Sequence, residues 1–225
     1  MIIGNGLIAS SFKKNDDLNH VFFASGVSDS NENNYLSFKR EKDLLLETIN
    51  NLNNRILIYF SSVSIYCLNS KYTNHKKEME NLISNSNIDY YIFRLPQVLG
   101  NGGNSKNLVN FISNKILKGD LFDLNISAER SILDVDDLVR IVKSVINKNK
   151  KNNIFDIAGI EFKKVLDIVR YIELVLNKKG NFNIIDAPDN IFKINSNDIE
   201  FCIDDLSIRI DGYTEYTIKK YINFK

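Results

Sequence analysis

The chain of 225 residues has little cysteine, histidine or proline, with two residues of each. Cys67 and Cys202 are too few and too far apart for a disulfide framework or a metal cage, and two histidines make a His-based metal site unexpected. With 29 Lys and Arg against 28 Asp and Glu, the net charge is +1, which gives no electrostatic preference for nucleic acid or an anionic membrane. No apolar run approaches the ~20 residues of a membrane span, and the N-terminus lacks a signal-peptide pattern. We therefore expect a cytoplasmic protein without a structural metal, a nucleic-acid partner or a membrane partner.

Short apolar segments alternate with amphipathic segments along the chain. Strands are predicted at 1–3, 20–25, 55–60, 89–94 and 154–158. Helices are predicted at 7–12, 35–50, 74–85, 108–117, 136–148, 163–176 and 214–222, with an irregular stretch after Gly180. The strand at 55–60 (RILIYF) is almost wholly apolar, which indicates burial on both faces. The alternation predicts a parallel α/β sheet covered by helices on both sides.

A glycine-rich turn, GNGLIA at residues 4–9, lies between the first strand and the first helix. Gly4 permits a tight turn, Gly6 lets a pyrophosphate approach the backbone, and the small Ala9 lets the helix pack on the strand. This context favours dinucleotide binding over a purely structural turn. The acidic residue that usually bonds the adenosine ribose is missing, because the second strand ends in Phe23, Ala24, Ser25 and Gly26.

A second pattern combines a serine at a strand end with a tyrosine and a lysine four residues apart. Ser61 and Ser62 follow the RILIYF strand, and Tyr72 and Lys76 lie further on with the spacing of one helix face. A nearby ammonium favours the phenolate, so such a tyrosine can exchange a proton near neutral pH. The alternative is an amphipathic helix with a snorkelling lysine. The combination predicts proton transfer to a carbonyl or from an alcohol while a nicotinamide exchanges hydride.

These segments resemble the extended, nucleotide-sugar-modifying branch of the short-chain dehydrogenase/reductase superfamily. The resemblance covers most of the chain, in GNGLIAS, FFASGVSDS, ILIYFSSVSIY, YTNHKKEME, YIFRLPQVLGNGG and RSILDVDDL. It implies a Rossmann-like, doubly wound parallel sheet, shortened to about five strands, with a small C-terminal substrate-binding lobe. The core is expected to comprise residues 1–100 and 130–158, and the lobe residues 101–129 and 159–225.

The resemblance also implies the roles of the site residues. Tyr72 would be the catalytic acid–base, Lys76 would bind the nicotinamide ribose, and Ser62 would assist the tyrosine. The implied cofactor contacts are Gly4, Asn5, Gly6, Leu7, Ile8, Ala24, Ser25, Gly26, Ser61, Tyr72, Lys76, Leu95, Pro96 and Val98. The implied substrate contacts are Ser62, Gln97, Asn107 and Arg130. We interpret Glu80 and the acidic residues Asp134, Asp136 and Asp137 as structural, the latter capping the next helix.

Several departures from the family pattern bear on function. Ile3 and Ala9 stand where the first and last glycines of the family motif are usual, and the second strand resembles the family's fourth. The chain thus lacks a βαβα stretch that usually holds the adenosine. Epimerases and dehydratases retain their cofactor through each turnover, whereas reductases must exchange it, so a reduced adenosine site favours a reductase.

We therefore predict NAD(P)H-dependent reduction of a nucleotide-linked 4-keto-6-deoxy sugar in the synthesis of bacterial surface polysaccharide precursors. An epimerase or dehydratase of the same family, or a non-catalytic NAD(P)-binding relative, are the alternatives. NADP is slightly favoured over NAD, with Lys13, Lys14 or Lys39 as candidate contacts of the 2′-phosphate. The family also implies a homodimer through the helices at 35–50 and 74–85, with Leu45, Met79 and Leu82 as apolar contacts.

Overall fold

The structure is a computed structural model that describes residues 1–13, 18–66, 69–148, 150–157, 160–187 and 197–222. In chain order, its first elements are β1 (Ile2–Ile3), α1 (Leu7–Phe12), β2 (His20–Phe23), α2 (Tyr35–Asn50), β3 (Ile56–Ser62), α3 (Lys71–Ser84) and β4 (Tyr90–Leu95). They are followed by β5 (Gln97–Leu99), α4 (Leu108–Lys118), β6 (Leu121–Asn125), β7 (Glu129–Asp134), α5 (Val135–Lys148), β8 (Asn153–Asp156), β9 (Phe162–Lys164), α6 (Val165–Leu176), β10 (Asn181–Ile185), α7 (Asn197–Asp205) and α8 (Tyr213–Tyr221).

The main sheet has five parallel strands in the order β1-β2-β3-β4-β8. Alternate side chains of its strands pack into two separate apolar clusters. On one face, Phe22, Ile58 and Phe93 contact the buried sides of α1, α5 and α7. On the other face, Val21, Tyr59 and Ile92 contact α2 and α3. Helices cover both faces, as the apolar strands predicted, and the α/β fold class is confirmed.

The connections around β2 differ from those of an ordinary parallel sheet. The steps from β1 to β2 and from β2 to β3 run in the same direction across the sheet, yet α1 and α2 lie on opposite faces. The two crossovers therefore have opposite hands, although crossovers between parallel strands are almost always right-handed. Because the chain leaves β1 toward one face and β2 toward the other, a crevice opens between their carboxyl ends, where open α/β sheets bind ligands.

A smaller lobe follows β4 directly after Pro96. One of its sheets has the strand order β5-β7-β9, and β6 pairs with β10 in another. Helices α4, α6 and α8 pack with these strands into an apolar cluster of their own, which includes Ile116, Ile132 and Ile172. The lobe thereby places Gln97, Arg130 and Phe162 over the carboxyl ends of the main sheet.

Several predicted elements differ from the observed ones. Helix α3 begins at Lys71 rather than at 74, because Ser70 and Thr73 form a capping box at its N-terminus. The predicted helix at 163–176 begins at Val165, and the residues before it form β9, which pairs with β7. The stretch after Gly180 was predicted to be irregular, which was wrong for β10 and α7. Strands β5, β6 and β7 were not predicted.

Packing also places some residues differently from the expected division of the chain. Ile199 and Cys202 of α7 belong to the apolar cluster of the main sheet, although residues 159–225 were expected in the lobe. Leu45 and Met79 are fully buried against the sheet, so they are unavailable as the apolar dimer contacts that were predicted. Leu82 is partly buried against the same cluster.

Two further features of the described residues concern membrane spanning and metal binding. None of the helices that the structure describes is long and apolar enough to cross a membrane. Among the same residues, no group of three or more His, Cys, Asp and Glu side chains is arranged to hold a metal ion. Cys202 is buried and unpaired by a disulfide, and Cys67 lies outside the described residues.

Candidate active site

A cavity of about 1200 Å³ lies at the carboxyl ends of β1 to β4, between the main sheet and the lobe. Nearly all of the predicted site residues line it. They are Asn5, Gly6, Leu7, Ile8, Ala24, Ser25, Gly26, Ser61, Ser62, Tyr72, Lys76, Leu95, Pro96, Gln97, Val98, Asn107 and Arg130. Gly4 is the one predicted contact outside the lining. The structure therefore brings residues from seven separate segments of the sequence to one cavity.

The two glycines of the first turn have different roles in the structure. Gly4 has a φ of +123°, and a Cβ there would lie 2.3 Å from the carbonyl oxygen of Ala24. It therefore allows β1 and β2 to approach each other. Gly6 precedes α1 and lines the cavity, and a Cβ there would meet no atom within 4 Å. The open space over Gly6 is of the kind that a pyrophosphate needs to approach the backbone.

Two adjacent serines at the end of β3 make different contacts. The Ser61 hydroxyl donates a hydrogen bond to Glu80 Oε1 at 2.5 Å, so it is committed to α3 rather than to the cavity. The Ser62 hydroxyl lies 2.8 Å from the Ser64 hydroxyl and accepts from the Ser64 N–H at 3.2 Å. Ser62 is the more exposed of the two to the cavity.

Tyr72 and Lys76 lie on the inner side of α3. Tyr72 is 6% exposed and Lys76 is 2% exposed, and the Lys76 Nζ atom lies 5.8 Å from the centre of the Tyr72 ring. Among the described residues, the Tyr72 hydroxyl has no hydrogen-bond partner. A phenol that faces the cavity beside a fixed ammonium is suited to proton exchange with a bound ligand.

The Lys76 ammonium is held by a buried carboxylate that the sequence analysis missed. It donates hydrogen bonds to Glu41 Oε1 at 2.9 Å and to the Tyr59 hydroxyl at 3.3 Å. Glu41 is 0% exposed and also contacts His75 and the Val27 N–H. Glu41 was not predicted as a site residue, although it lies three residues after Phe38 and four before Leu45, a spacing that places it on the apolar face of the helix.

Electrostatics keep Glu41 ionised. Burial would raise the pKa of its carboxyl group, but the charge of Lys76 and hydrogen bonds from His75, Tyr59 and the Val27 N–H lower this pKa well below its usual value. For the phenol of Tyr59, burial and the neighbouring Glu41 charge raise the pKa well above its usual value. Tyr59 therefore stays a neutral donor to Glu41.

A second buried carboxylate, Glu80, anchors α3 to the sheet. Arg94 of β4 donates to both of its oxygens, with its Nη2 atom 2.7 Å from Oε2. Arg94 also contacts the Tyr66 hydroxyl, which donates to Asp156 at 2.6 Å. These contacts agree with the structural role predicted for Glu80.

The predicted substrate contacts lie on the lobe side of the cavity. Gln97 accepts a hydrogen bond from the Leu108 N–H at 3.5 Å, next to Asn107 at the start of α4. Arg130 donates to the Glu129 carbonyl oxygen at 2.7 Å. Phe162 of β9 lies opposite Ser131 in the sheet and adds an aromatic ring to this wall. Phe162 was missed because it was predicted to precede a helix.

The acidic residues near α5 lie outside this cavity. Asp134 Oδ1 accepts the Asp136 N–H at 2.8 Å, so Asp134 caps α5. Its carboxylate also contacts Lys220 and Tyr221 of α8 at 2.6 Å each. Asp137 forms an ion pair with Arg140. These contacts support the structural interpretation of the group.

Two loops meet at the mouth of the cavity. Asp29, after β2, forms an ion pair with Lys106 at 2.6 Å, and the Asn104 amide donates to the Ser28 hydroxyl at 3.2 Å. The hydrogen bond from Lys106 lowers the pKa of Asp29. Asp29 lines the cavity, but its charge is balanced by Lys106 and it does not lie at the end of β2. It therefore does not take the place of the missing acidic residue that usually bonds the adenosine ribose.

Three solved structures share this fold. The first is dTDP-glucose 4,6-dehydratase from Bacillus anthracis str. Ames in complex with NAD, with 16% identity, 96% of this chain and 76% of that chain covered, and a TM-score of 0.68. The second is RMD from Pseudomonas aeruginosa complexed with NADPH, with 12% identity, 90% of this chain and 80% of that chain covered, and a TM-score of 0.70. The third is UDP-glucose 4-epimerase from Thermus thermophilus in complex with NAD, with 14% identity, 93% of this chain and 78% of that chain covered, and a TM-score of 0.68. No family model and no curated protein matches the chain.

At these identities the likeness shows the fold. The chain has the Rossmann-like α/β fold shared by these three proteins. This confirms the Rossmann-like fold that the resemblance to the short-chain dehydrogenase/reductase superfamily predicted.

Proposed function

We propose that the protein is an NAD(P)H-dependent reductase of the 4-keto group of a nucleotide-linked 4-keto-6-deoxy sugar. The observation that carries this proposal is the convergence of Ser62, Tyr72 and Lys76 on one cavity beside the open glycine turn. A tyrosine with a fixed ammonium beside it is the group needed to protonate a carbonyl oxygen as it is reduced. The supply of surface polysaccharide precursors is the physiological role that we attach to this activity.

The reaction needs one hydride and one proton for each carbonyl reduced. The nicotinamide, when bound, supplies the hydride to the carbonyl carbon. Tyr72 donates its hydroxyl proton to the carbonyl oxygen, which becomes the alcohol, and the phenolate recovers a proton from water. The positive charge of Lys76 stabilises the phenolate of Tyr72. Ser62 donates a hydrogen bond to the substrate oxygen that Tyr72 protonates. Gln97, Asn107 and Arg130 hold the nucleotide sugar from the lobe.

The residues present fit a nicotinamide cofactor at two of its three parts. Gly6 leaves open space for the pyrophosphate, and Leu95, Pro96 and Val98 give the nicotinamide an apolar wall. On the adenosine side, β1 is the last strand of the sheet among the described residues. Fewer contacts with the adenosine favour an exchangeable cofactor, which a reductase needs and an epimerase does not.

The two glycines give a matched test of the cofactor site. Gly6→Ala should fold like the wild type, because its Cβ meets no protein atom, but the methyl group should weaken NADPH binding by about tenfold or more. Gly4→Ala should instead lower stability, because alanine is strained at a φ of +123° and its Cβ would lie 2.3 Å from the carbonyl oxygen of Ala24. Thermal unfolding and cofactor titration measure the two effects. Unchanged NADPH affinity in Gly6→Ala would place the pyrophosphate elsewhere.

The choice of NADPH as the reductant rests on Arg40 of α2. Lys76 and Lys106 line the cavity but are paired with Glu41 and Asp29, whereas Arg40 has no carboxylate partner among the described residues. Its guanidinium donates to the Ser25 hydroxyl at 3.1 Å and to the Ser25 carbonyl oxygen at 2.8 Å. Arg40 thus places a guanidinium beside the segment that follows β2 on the cavity wall, and an arginine near the adenosine ribose suits a 2′-phosphate.

The lysines considered from the sequence are less suitable for this contact. Lys39 is exposed, forms an ion pair with Asp43 and does not line the cavity. Lys13 is exposed and also outside the lining, and Lys14 lies outside the described residues.

We expect Arg40→Gln to reduce the preference for NADPH over NADH by about tenfold, the effect of one lost charge-assisted contact of about 1.4 kcal/mol. Lys39→Gln, one residue away, is the control and should leave the ratio of the two dissociation constants unchanged. Equal weakening of both cofactors by Arg40→Gln would show that this residue contacts a part that they share.

An epimerase or dehydratase of the same fold is the second candidate. It is favoured by the nature of two of the similar structures, a 4-epimerase and a 4,6-dehydratase that were each solved with NAD. A homodimer through α2 and α3 is also proposed, and its interface would combine outward-facing charged residues such as Lys39, Asp43 and Glu78 with the exposed apolar side chains of Leu36 and Leu46. Thermal unfolding with a series of nucleotide sugars, each with NADH or NADPH present, tests the proposal, because the true substrate raises Tm. A series in which no nucleotide sugar raises Tm would count against both enzymatic candidates.

A further inference from the structure

Glu41 is a buried carboxylate that the proposed reaction does not use. It lies on the inner side of α2, where the neighbouring inward residues Leu45 and Thr48 are also buried. A carboxylate is costly to bury unless it is paired and fully hydrogen-bonded. Its presence at 0% exposure therefore calls for an explanation beyond packing.

All of the acceptor capacity of Glu41 is used. Oε1 accepts from the Tyr59 hydroxyl at 2.6 Å and from Lys76 Nζ at 2.9 Å. Oε2 accepts from the Val27 N–H at 2.6 Å and lies 3.0 Å from His75 Nε2. A carboxylate has about four lone-pair sites, so Glu41 is fixed by its four partners and fixes them in turn.

Two of these partners belong to the cavity wall. Lys76 and Val27 both line the cavity, and Gly26 lies between Val27 and Ser25 on the same wall. A Cβ on Gly26 would lie 2.7 Å from Lys76 Nζ and 2.9 Å from Glu41 Oε1. The ion pair therefore lies directly behind the backbone of Gly26, with no side chain between them.

We propose that Glu41 is a positioning residue for the nicotinamide cofactor, an inference that rests on the proposed function. It holds the Lys76 ammonium at one place on the cavity wall and ties the segment at Gly26 and Val27 to α2. The flexible four-carbon stem of a lysine loses much freedom when it binds a ligand, and an anchor that removes this freedom beforehand strengthens binding. Glu41 acts on the cofactor through Lys76 and Val27 and does not touch it.

Glu80 provides the matched control. It is also a buried carboxylate paired with a cation, it also accepts from a hydroxyl, and it also lies between a helix and the sheet. Its cationic partner Arg94, however, does not line the cavity, and Ser61, which does, directs its hydroxyl to Glu80, where the amide oxygen of Glu80→Gln can still accept it. Loss of either carboxylate should lower stability, but only loss of Glu41 should alter cofactor binding.

The experiment compares Glu41→Gln, Glu41→Asp and Glu80→Gln with the wild type, each in the full chain without substrate. NADPH is titrated to obtain Kd, and thermal unfolding gives Tm. We expect Glu41→Gln to raise Kd by about tenfold or more. Glu41→Asp retains the charge and should give a smaller increase, while Glu80→Gln should lower Tm with Kd within about twofold of the wild type. In turnover, Glu41→Gln should raise KM for NADPH by a larger factor than it lowers kcat.

Other outcomes would overturn the inference. A wild-type Kd in Glu41→Gln, or an equal increase in Glu80→Gln, would make Glu41 merely structural. If Glu41→Gln does not fold, Glu41→Asp decides, since an unchanged Kd in that variant contradicts a positioning role. Failure of the wild type itself to bind NADPH or NADH would instead refute the proposed function, and with it this inference.

Discussion

Tyr72→Phe is expected to lower kcat for keto-sugar reduction by about 10²- to 10⁴-fold, the usual contribution of a positioned general acid. The substitution removes one oxygen atom and keeps the ring, which is 6% exposed and packed beside Lys76. Because the hydroxyl has no partner among the described residues, its loss leaves no buried group unpaired. NADPH affinity and Tm should therefore stay close to those of the wild type.

Tyr66→Phe is the control for this prediction. Tyr66 lies a short distance along the chain, and its hydroxyl contacts Asp156 and Arg94 outside the cavity. Its substitution should leave kcat within about threefold of the wild type, since general-acid effects require direct access to the substrate. Reductase activity that survived Tyr72→Phe would exclude Tyr72 as the proton donor.

Lys76→Met should destabilise the protein by about 3–5 kcal/mol at neutral pH, the usual cost of removing one member of a buried ion pair. Lys76 is 2% exposed and Glu41 is 0% exposed, so water cannot replace the lost ammonium. Combining it with Glu41→Gln removes the uncompensated charge and should restore a large part of this stability. Denaturant unfolding of the two single variants and the double variant measures the coupling. Additive losses would show that the two groups do not stabilise each other.

The loss caused by Lys76→Met should depend on pH in a defined direction. The pKa of Glu41 in the folded protein lies below its unfolded value of about 4.3. The stability that this lowering contributes is complete above the unfolded value and is lost as the pH falls below it and through the pKa of the folded protein. Without the Lys76 charge the buried Glu41 carboxyl has a higher pKa in the folded variant than in the folded wild type, so the difference in unfolding free energy between the two proteins should be largest near neutral pH and shrink as the pH falls through the acidic range. A difference that is constant over this range would contradict the assignment of the charge pair.

The sequence predicted the parts of the site that depend on short-range patterns. The glycine turn was recognisable because Gly4 and Gly6 lie between an apolar strand and a helix. The spacing of Tyr72 and Lys76 was sufficient to place both on one helix face, even though the start of α3 was wrong by three residues. The capping box was missed because the residue three positions after the N-cap Ser70 is Thr73, whereas Glu or Gln is usual at this position.

Features that depend on long-range contacts were not predictable from local patterns. Residues 163 and 164 were predicted to begin a helix, but together with Phe162 they form β9, which pairs with β7, far away in the sequence. The burial of Glu41 likewise depends on Lys76 facing it from another helix, and neither residue signals the other. The role proposed for Arg40 can be recognised only when the position of the cavity is known. The opposite hands of the two crossovers at β2 can be recognised only when α1 and α2 are known to lie on opposite faces of the sheet.

The most direct test of the reductase assignment is the stoichiometry of cofactor oxidation. The purified protein is mixed with NADPH and a nucleotide-linked 4-keto-6-deoxy sugar, and absorbance is followed while the product is quantified. We expect one NADPH to be oxidised for each sugar reduced, with no turnover when the cofactor is omitted. Conversion of a nucleotide sugar without added cofactor would contradict the assignment and identify an epimerase or dehydratase that retains its own.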